Sequence, residues 1–364
     1  MLIVDGHLDL GWTALQWNRD ITKTVAELRS RPGVEVQVLA GQPLTGRIVP
    51  TVGLPEMREG RVGLCFATLL ARSTGTDVPH LDYPSALQAG AVAYGQLAYY
   101  RALEGQGLMK PIRDAAALDR HVGEWEAFDR DPSGACPPVG FVLAVEGADP
   151  VLDPAQLADW HAEGLRVVGL SHFGTGRYAG GTGSDLGVTP LGLELLAAMR
   201  RLRMILDVTH LSDRAFREAL DHWDGPVLAS HQNCRALVDA PRQFSDSQLR
   251  ELIGRDAVIG TAFDAWMLVP GWKRGEDANP AVTMEAVADH VDHVCQLAGN
   301  SRHAAIGSDL DGGFGREQSP TDLDTIADLP KLAEVLRRRG WADAAVVAVL
   351  HGNWLRLLRA AWSR

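Results

Sequence analysis

A (β/α)8 TIM barrel with insertions is the fold the sequence predicts, on three observations. Eight short apolar runs recur along the 364 residues, with helical stretches between most of them. Such runs, bounded by polar residues, read as strands buried on both faces, and strands that alternate with helices form a parallel sheet. Histidines and carboxylates gather at the carboxyl ends of these runs, the end of a parallel α/β fold that carries chemistry. No break in composition divides the chain, so residues 1–364 read as one domain. The length beyond a minimal barrel falls mostly in 11–60 and 83–138.

The first run, residues 2–10 (LIVDGHLDL), is a strand whose end holds His7 and Asp9. Residues two apart on a strand share a face, so an HxD pair at a barrel mouth can aim both side chains at one ion. A capped turn is the plainer alternative. Residues 11–60 hold a short helix near 24–29 and then a Pro/Gly-punctuated insertion. Residues 61–70 form the second strand and 83–104 a long helix. The third strand, 139–146, ends in Glu146. A carboxylate at the end of an apolar run is costly unless it is paired or binds a metal. Residues 154–163 read as a helix and 165–170 as the fourth strand, with Ser171 and His172 after it. The segment FGTGRYAGGTGSDLG that follows is glycine-rich but lacks the GK[ST] of a phosphate loop, and reads as a flexible active-site loop.

A helix at 190–202 leads to the fifth strand, 204–208. A helix at 215–223, behind a cap at Ser212 or Asp213, leads to the sixth, 227–229. His210 and His231 follow these two strands. One histidine in such a place is more often structural, but two at equivalent positions of successive strands shift the odds. Ser245 begins the next helix, and 257–263 is the seventh strand. The helix at 284–297 carries His290 and His293, far from the strand ends, so packing or solvent accounts for them. The eighth strand, 304–309, ends in Asp309, and helices at 328–338 and 343–358 close the chain.

Composition narrows the class. An apolar content of 46% supplies a large core. A net charge of −11 without a Lys/Arg run argues against nucleic acid as a partner. The cysteines, Cys65, Cys136, Cys234 and Cys295, form no CxxC pair, which fits free thiols in a reducing compartment. MLIVDGH does not read as a signal peptide, so none is expected, and no apolar run approaches the ~20 residues of a membrane helix. The expectation is a soluble cytoplasmic protein acting on a small molecule, off the membrane, with a homodimer left open.

The strand ends together offer His7, Asp9, Glu146, His172, His210, His231 and Asp309. Imidazole and carboxylate ligands around an open position suit catalytic zinc or a similar divalent ion. Three imidazoles and two carboxylates exceed the needs of one tetrahedral ion, which argues for two ions sharing a carboxylate. None of the lysines, Lys23, Lys110, Lys273 and Lys331, ends a strand, so a carbamylated lysine is no candidate bridge and Glu146 is.

A run of motifs is similar to the renal (membrane) dipeptidase family of the amidohydrolase superfamily. They are DGHLDL at 5–10, LPEMREGRVG at 54–63, VEG at 145–147, LSH at 170–172, DVTH at 207–210, SHQNCRAL…APRQ at 230–243, GSDLDG at 307–312 and HGNWLR at 351–356. The resemblance implies a two-zinc dipeptidase that cleaves dipeptides with a free C-terminal carboxylate by a metal-bridging hydroxide. It makes His7, Asp9 and Glu146 the ligands of one zinc, and Glu146, His210 and His231 those of the other. It makes Asp309 the proton-transferring acid/base, sets His172 against the substrate carbonyl or oxyanion, and gives Arg242 the terminal carboxylate.

Elementary chemistry agrees with those roles. Metals lower the pKa of water to about 7, and a nearby carboxylate can relay its proton to the leaving amine. A planar guanidinium matches a carboxylate in bidentate geometry. Leu8, Gly11-Trp12 and Gln243 depart from the family pattern in pocket-lining loops and bear on substrate choice. Two other readings compete. A mononuclear barrel hydrolase or deaminase on a non-peptide substrate favours HxH on the first strand. A non-catalytic metal-binding scaffold has no use for Asp309.

Overall fold

The computed structural model describes residues 1–30, 49–75, 78, 80–276 and 280–363, and the backbone of 38–39 and 42–43. Most of the Pro/Gly-punctuated insertion expected before residue 60 therefore lies outside the described residues. Eight parallel strands wind into a nearly closed barrel: β1 (Ile3–Leu8), β2 (Val62–Leu69), β3 (Val139–Val145), β4 (Leu165–Gly169), β5 (Ile205–Asp207), β6 (Val227–Ala229), β7 (Val258–Thr261) and β8 (Ala304–Ile306). Each pairs with the next, in registers such as Asp5 with Cys65 and Leu69 with Val145. The strands are buried on both faces, apart from half-exposed Arg166, as their continuous apolar runs require.

Alternate strand residues sort into two apolar clusters. One gathers Val4, Leu64, Val142, Val167, Ile205, Leu228, Val258 and Ala305, one from every strand. A cluster touched by all eight strands is the barrel interior. Trp354, on the last helix Asn353–Trp362, joins it, and its Nε1 donates to the carbonyl of Ile306 at 2.8 Å. The other cluster takes the strands' outward residues, such as Ile3, Cys65 and Leu206, and packs them on the surrounding helices.

Among the described residues no ladder joins β8 to β1; one backbone bond, from the N–H of Asp309 to the carbonyl of His7 at 3.3 Å, and the side chain of Asp5 close the barrel there. Both oxygens of Asp5 accept from Ser308, one from the backbone N–H at 2.8 Å and the other from the hydroxyl at 2.5 Å. The N–H of His7 also donates to Asp5, at 3.1 Å. Asp5 is fully buried, and burial pushes its carboxyl up from the usual carboxylate range.

Several elements differ from the sequence-based expectation. The chain turns straight from β1 into a helix, Leu10–Gln16. The expected long helix starts at Ala86 behind an N-cap at Ser85, because Pro84 stops an earlier start. A short strand, Met109–Pro111, fills the edge of β3 below the point where β4 begins. It leads to a further helix, Ala115–Arg130, capped by Asp114 and buried through Leu118, His121, Val122 and Trp125. The closing helix is broken by a π-turn at Ala348–Gly352. Strands seven and eight end earlier than expected. At Asp309 the backbone turns left-handed (φ 59°), which no strand continues through. No helix among the described residues is long and apolar enough to cross a membrane.

His290 packs, as expected. Its Nδ1 accepts from the N–H of Cys234 at 3.1 Å and its Nε2 donates to the carbonyl of Leu268 at 3.2 Å, tying the loop after β6 to the loop after β7. That arrangement needs a neutral ring, and burial lowers its pKa to about 4. Between about pH 6.5 and about pH 4 the unfolded chain binds a proton that the folded ring refuses. Stability should then fall with falling pH by about 1.4 kcal/mol per unit from this group. Urea unfolding of metal-stripped protein at several pH values measures it. His290→Gln should flatten the slope, and an unchanged slope contradicts the assignment.

Candidate metal centre

The carboxyl ends of the strands deliver all seven expected residues to one place. β1 supplies His7 and, just beyond it, Asp9; Glu146 follows β3 directly; His210 and His231 follow β5 and β6. Glu146 sits among the imidazoles. Its Oε1 lies 3.1 Å from His210 Nε2, 3.2 Å from His231 Nε2 and 3.6 Å from His172 Nε2. Its Oε2 lies 3.6 Å from His7 Nε2. The same His7 atom is 3.5 Å from Asp9 Oδ2 and 3.7 Å from Asp309 Oδ1. Ligand atoms fall within 4.8 Å of one another in three sets: His7, Glu146, His231; Glu146, His172, His210; and His7, Asp9, Asp309.

A second layer of hydrogen bonds orients these groups, as metal-binding side chains need. The Thr68 hydroxyl donates to Asp9. Hydroxyls of Thr182 and Ser230 stand 3.1 Å and 2.9 Å from Nδ1 of His210 and His231. Arg72 Nη1 stands 3.1 Å from Nδ1 of His172. The glycine-rich segment after β4 supplies Thr182, and its turns are tied by bridges such as Phe173 with Thr182 and Gly181 with Leu211. A Cβ on Gly181 would lie 1.8 Å from the carbonyl of His172, so only glycine allows that approach. The segment expected as a loose loop is thus a built wall of the site. Asp207, at the end of β5, accepts from the N–H groups of Thr209 (3.0 Å) and Ser230 (3.1 Å) and holds the two histidine-bearing turns together. His210 and Asp309 both have left-handed backbones (φ 68° and 59°), a strain that recurs at functional sites.

The donor set suits divalent ions. Among the described residues, buried His7 Nε2 has no partner within 3.5 Å at hydrogen-bonding geometry, although it points among three carboxylates at 3.5 to 3.7 Å. Burial pushes the imidazoles of His172, His210 and His231 well below their ordinary range. Neutral imidazole is the form that binds a metal. Burial also pushes the carboxyls of Glu146 and Asp309 up, Asp309 strongly. Burial alone would lower His7, but the charges of Glu146 and Asp9 outweigh it and hold that ring well above its usual value. A buried cluster of this kind is satisfied by a cation.

A cavity of about 610 Å³ opens over the cluster. Trp12, Leu70, Leu81, Phe173, Trp266 and Trp272 are among the residues that line it. Arg242 faces it and is 3% exposed. Its Nη1 donates to Gln232 Oε1 and its Nη2 to the carbonyl of His231, both at 2.8 Å. Among the described residues, no carboxylate lies within ion-pair reach of it. Asp264, beyond the end of β7, also faces the cavity; Gln318 Nε2 donates to it at 2.7 Å, and burial raises its pKa to about 6. Sequence reasoning passed over Asp5, Arg72, Asp207 and Asp264. Of these, Asp5 and Asp207 carried a usable signal, a carboxylate inside or at the end of an apolar run, as at Glu146.

Comparison with known proteins agrees with this geometry. The sequence pattern of the membrane dipeptidases (peptidase family M19) matches residues 1–363. A dipeptidase of Schizosaccharomyces pombe, C965.12, is 26% identical over 313 residues, 84% of this chain and 70% of that one. The crystal structure of dipeptidase AC, an M19 metallopeptidase, superposes with a TM-score of 0.74 at 25% identity, covering 100% of this chain and 99% of that one. A metallopeptidase of Rhodobacter sphaeroides, solved with a phosphinate mimic of the dipeptide L-Ala-D-Ala, gives 0.75 at 25% identity with the same coverage. With the barrel, the histidine–carboxylate clusters and a match over nearly its whole length, the chain belongs to the membrane dipeptidase family of metallopeptidases, enzymes that hydrolyse peptide bonds.

Proposed function

We propose that this chain hydrolyses dipeptides that carry a free C-terminal carboxylate, using two divalent ions, zinc by family resemblance, that share Glu146. The observation that carries the substrate class is Arg242. Among the described residues its buried guanidinium donates only to neutral acceptors, while the carboxylates of Asp309 and Glu146 act on it from beyond ion-pair reach, so there is a place for an anion in direct contact. A substrate carboxylate supplies one in the geometry arginine favours. The dipeptide mimic bound by the Rhodobacter sphaeroides relative supports the same class. His7, Asp9 and Glu146 would hold one ion, and Glu146, His210 and His231 the other. When bound, such ions acidify water to a pKa of about 7 and polarise a carbonyl.

The protein's own groups do the rest. Arg242 anchors the C-terminal carboxylate and so sets the scissile carbonyl over the cluster. Asp309 takes a proton from the attacking water and returns it to the leaving nitrogen, so hydrolysis adds OH to the acyl carbon and H to the amine. A carboxyl pushed up by burial is suited to holding that proton between the two events. Gly312 leaves room for the Asp309 carboxylate, since a Cβ there would lie 1.8 Å from Asp309 Oδ1. Apolar walls of Trp12, Leu81, Phe173 and Trp266 favour apolar side chains on the substrate.

Two experiments test the reading. Asp309→Asn should keep its metal content and lose activity on the order of 10²–10⁴-fold. Metal lost along with activity would make Asp309 a ligand instead. Wild-type protein should cleave an apolar dipeptide and reject its C-terminal amide, and Arg242→Met should erase the distinction at roughly 2–5 kcal/mol in kcat/KM. Equal kcat/KM for acid and amide on the wild type contradicts the substrate class.

A further inference from the structure

Four imidazoles approach Glu146, and distance alone would make His172 a metal ligand alongside His210. What separates them is the partner on the far side of each ring. His210 and His231 face the hydroxyls of Thr182 and Ser230, and a hydroxyl can either donate or accept. These rings can therefore carry their proton on Nδ1 and present a bare Nε2 to an ion. His172 faces Arg72 Nη1, at 3.1 Å from its Nδ1. A guanidinium has donors only and stays protonated. Nδ1 of His172 must accept, so a neutral ring carries its proton on Nε2, the atom turned toward Glu146.

Arg72 is built to hold that position. It is 5% exposed, and its Nη2 is ion-paired with Asp82 at 3.3 Å. Asp82 is itself fixed by the N–H of Thr74 at 3.0 Å. The backbone of Arg72 is pinned on both sides, its N–H donating to Leu81 and its carbonyl accepting from Tyr83, each at 2.8 Å. Nη1 also reaches the carbonyl of Phe173 at 3.5 Å, at the start of the loop that carries on from His172.

We infer that Arg72 is a positioning residue that holds His172 in the neutral Nε2–H tautomer, the form that can donate to the scissile carbonyl that the family resemblance sets against this ring, and one that cannot bind a metal through Nε2. The donor role rests on the dipeptidase reading above; the tautomer does not. A donor placed where charge develops on the carbonyl oxygen acts in the transition state more than in the ground state. Loss of Arg72 should therefore fall on kcat.

The test uses zinc-loaded protein labelled with 15N-histidine, with the His172 signals identified by their loss in His172→Gln. The wild type should show an unprotonated Nδ1 and a protonated Nε2 at His172; the reverse tautomer, or a metal-bound nitrogen, overturns the inference without recourse to any variant. Arg72→Met should mix the tautomers, lower kcat roughly 10- to 10²-fold and leave KM within about threefold. In the His172→Gln background the same change should cost less than about twofold, because Arg72 acts through that ring. Additive losses overturn it. A wild type that cleaves no dipeptide would instead overturn the dipeptidase reading and leave the tautomer result standing.

Discussion

Glu146 is the constraint on which the rest of the site depends. One buried carboxylate lies 3.1 to 3.6 Å from four imidazoles, contributed by four different strand ends. Removing a carboxylate from water is costly unless charge or hydrogen bonds compensate, and three neutral rings compensate poorly. The arrangement is stable as a receptor for cations, with the carboxylate common to two sets of ligands. A parallel barrel suits this purpose, because its eight carboxyl ends converge on one mouth while the core beneath stays apolar.

Holding those ends in place falls to further carboxylates that do not line the cavity. Asp5 joins the first strand to the segment after the eighth, across the seam where the barrel lacks a ladder. Asp207 joins the turns of His210 and His231. Asp311 accepts from Thr51 and Val52 and pairs with Arg19 at 3.0 Å, which ties the segment after Asp309 to the outer loops. Each is a buried carboxyl group that takes several donors at once, an arrangement that fixes direction as well as distance. The left-handed turns at His210 and Asp309 persist because such anchors over-determine them.

Much of this was legible in the sequence, for physical reasons. Strands buried on both faces leave unbroken apolar runs, so all eight could be read, and a polar residue closing such a run stands out, as His7, Glu146, His210 and His231 do. The missed helix Ala115–Arg130 had the right spacing at Leu118, His121, Val122 and Trp125, but a buried histidine and a tryptophan among charges blurred it. The short helix Leu10–Gln16 opens with glycine and threonine near its start, weak helix formers, and is held by tertiary contacts such as the Gly11 N–H on the Tyr100 hydroxyl at 2.8 Å. Arg72 and Asp264 carry no local signal. Their roles come from neighbours about 100 and 54 residues away, His172 and Gln318, which only the folded chain brings near. The tautomer of a histidine likewise belongs to its partner and not to its own position in the chain.

The most direct test of the account is the metal content of wild type and of Glu146→Gln after loading with zinc and removal of weakly held ions. If Glu146 is shared, the wild type holds two ions per chain and the variant binds both weakly, because each set loses its common charged ligand. A wild type with one tight ion, or a variant that sheds one ion and keeps the other at full affinity, contradicts the shared-carboxylate centre.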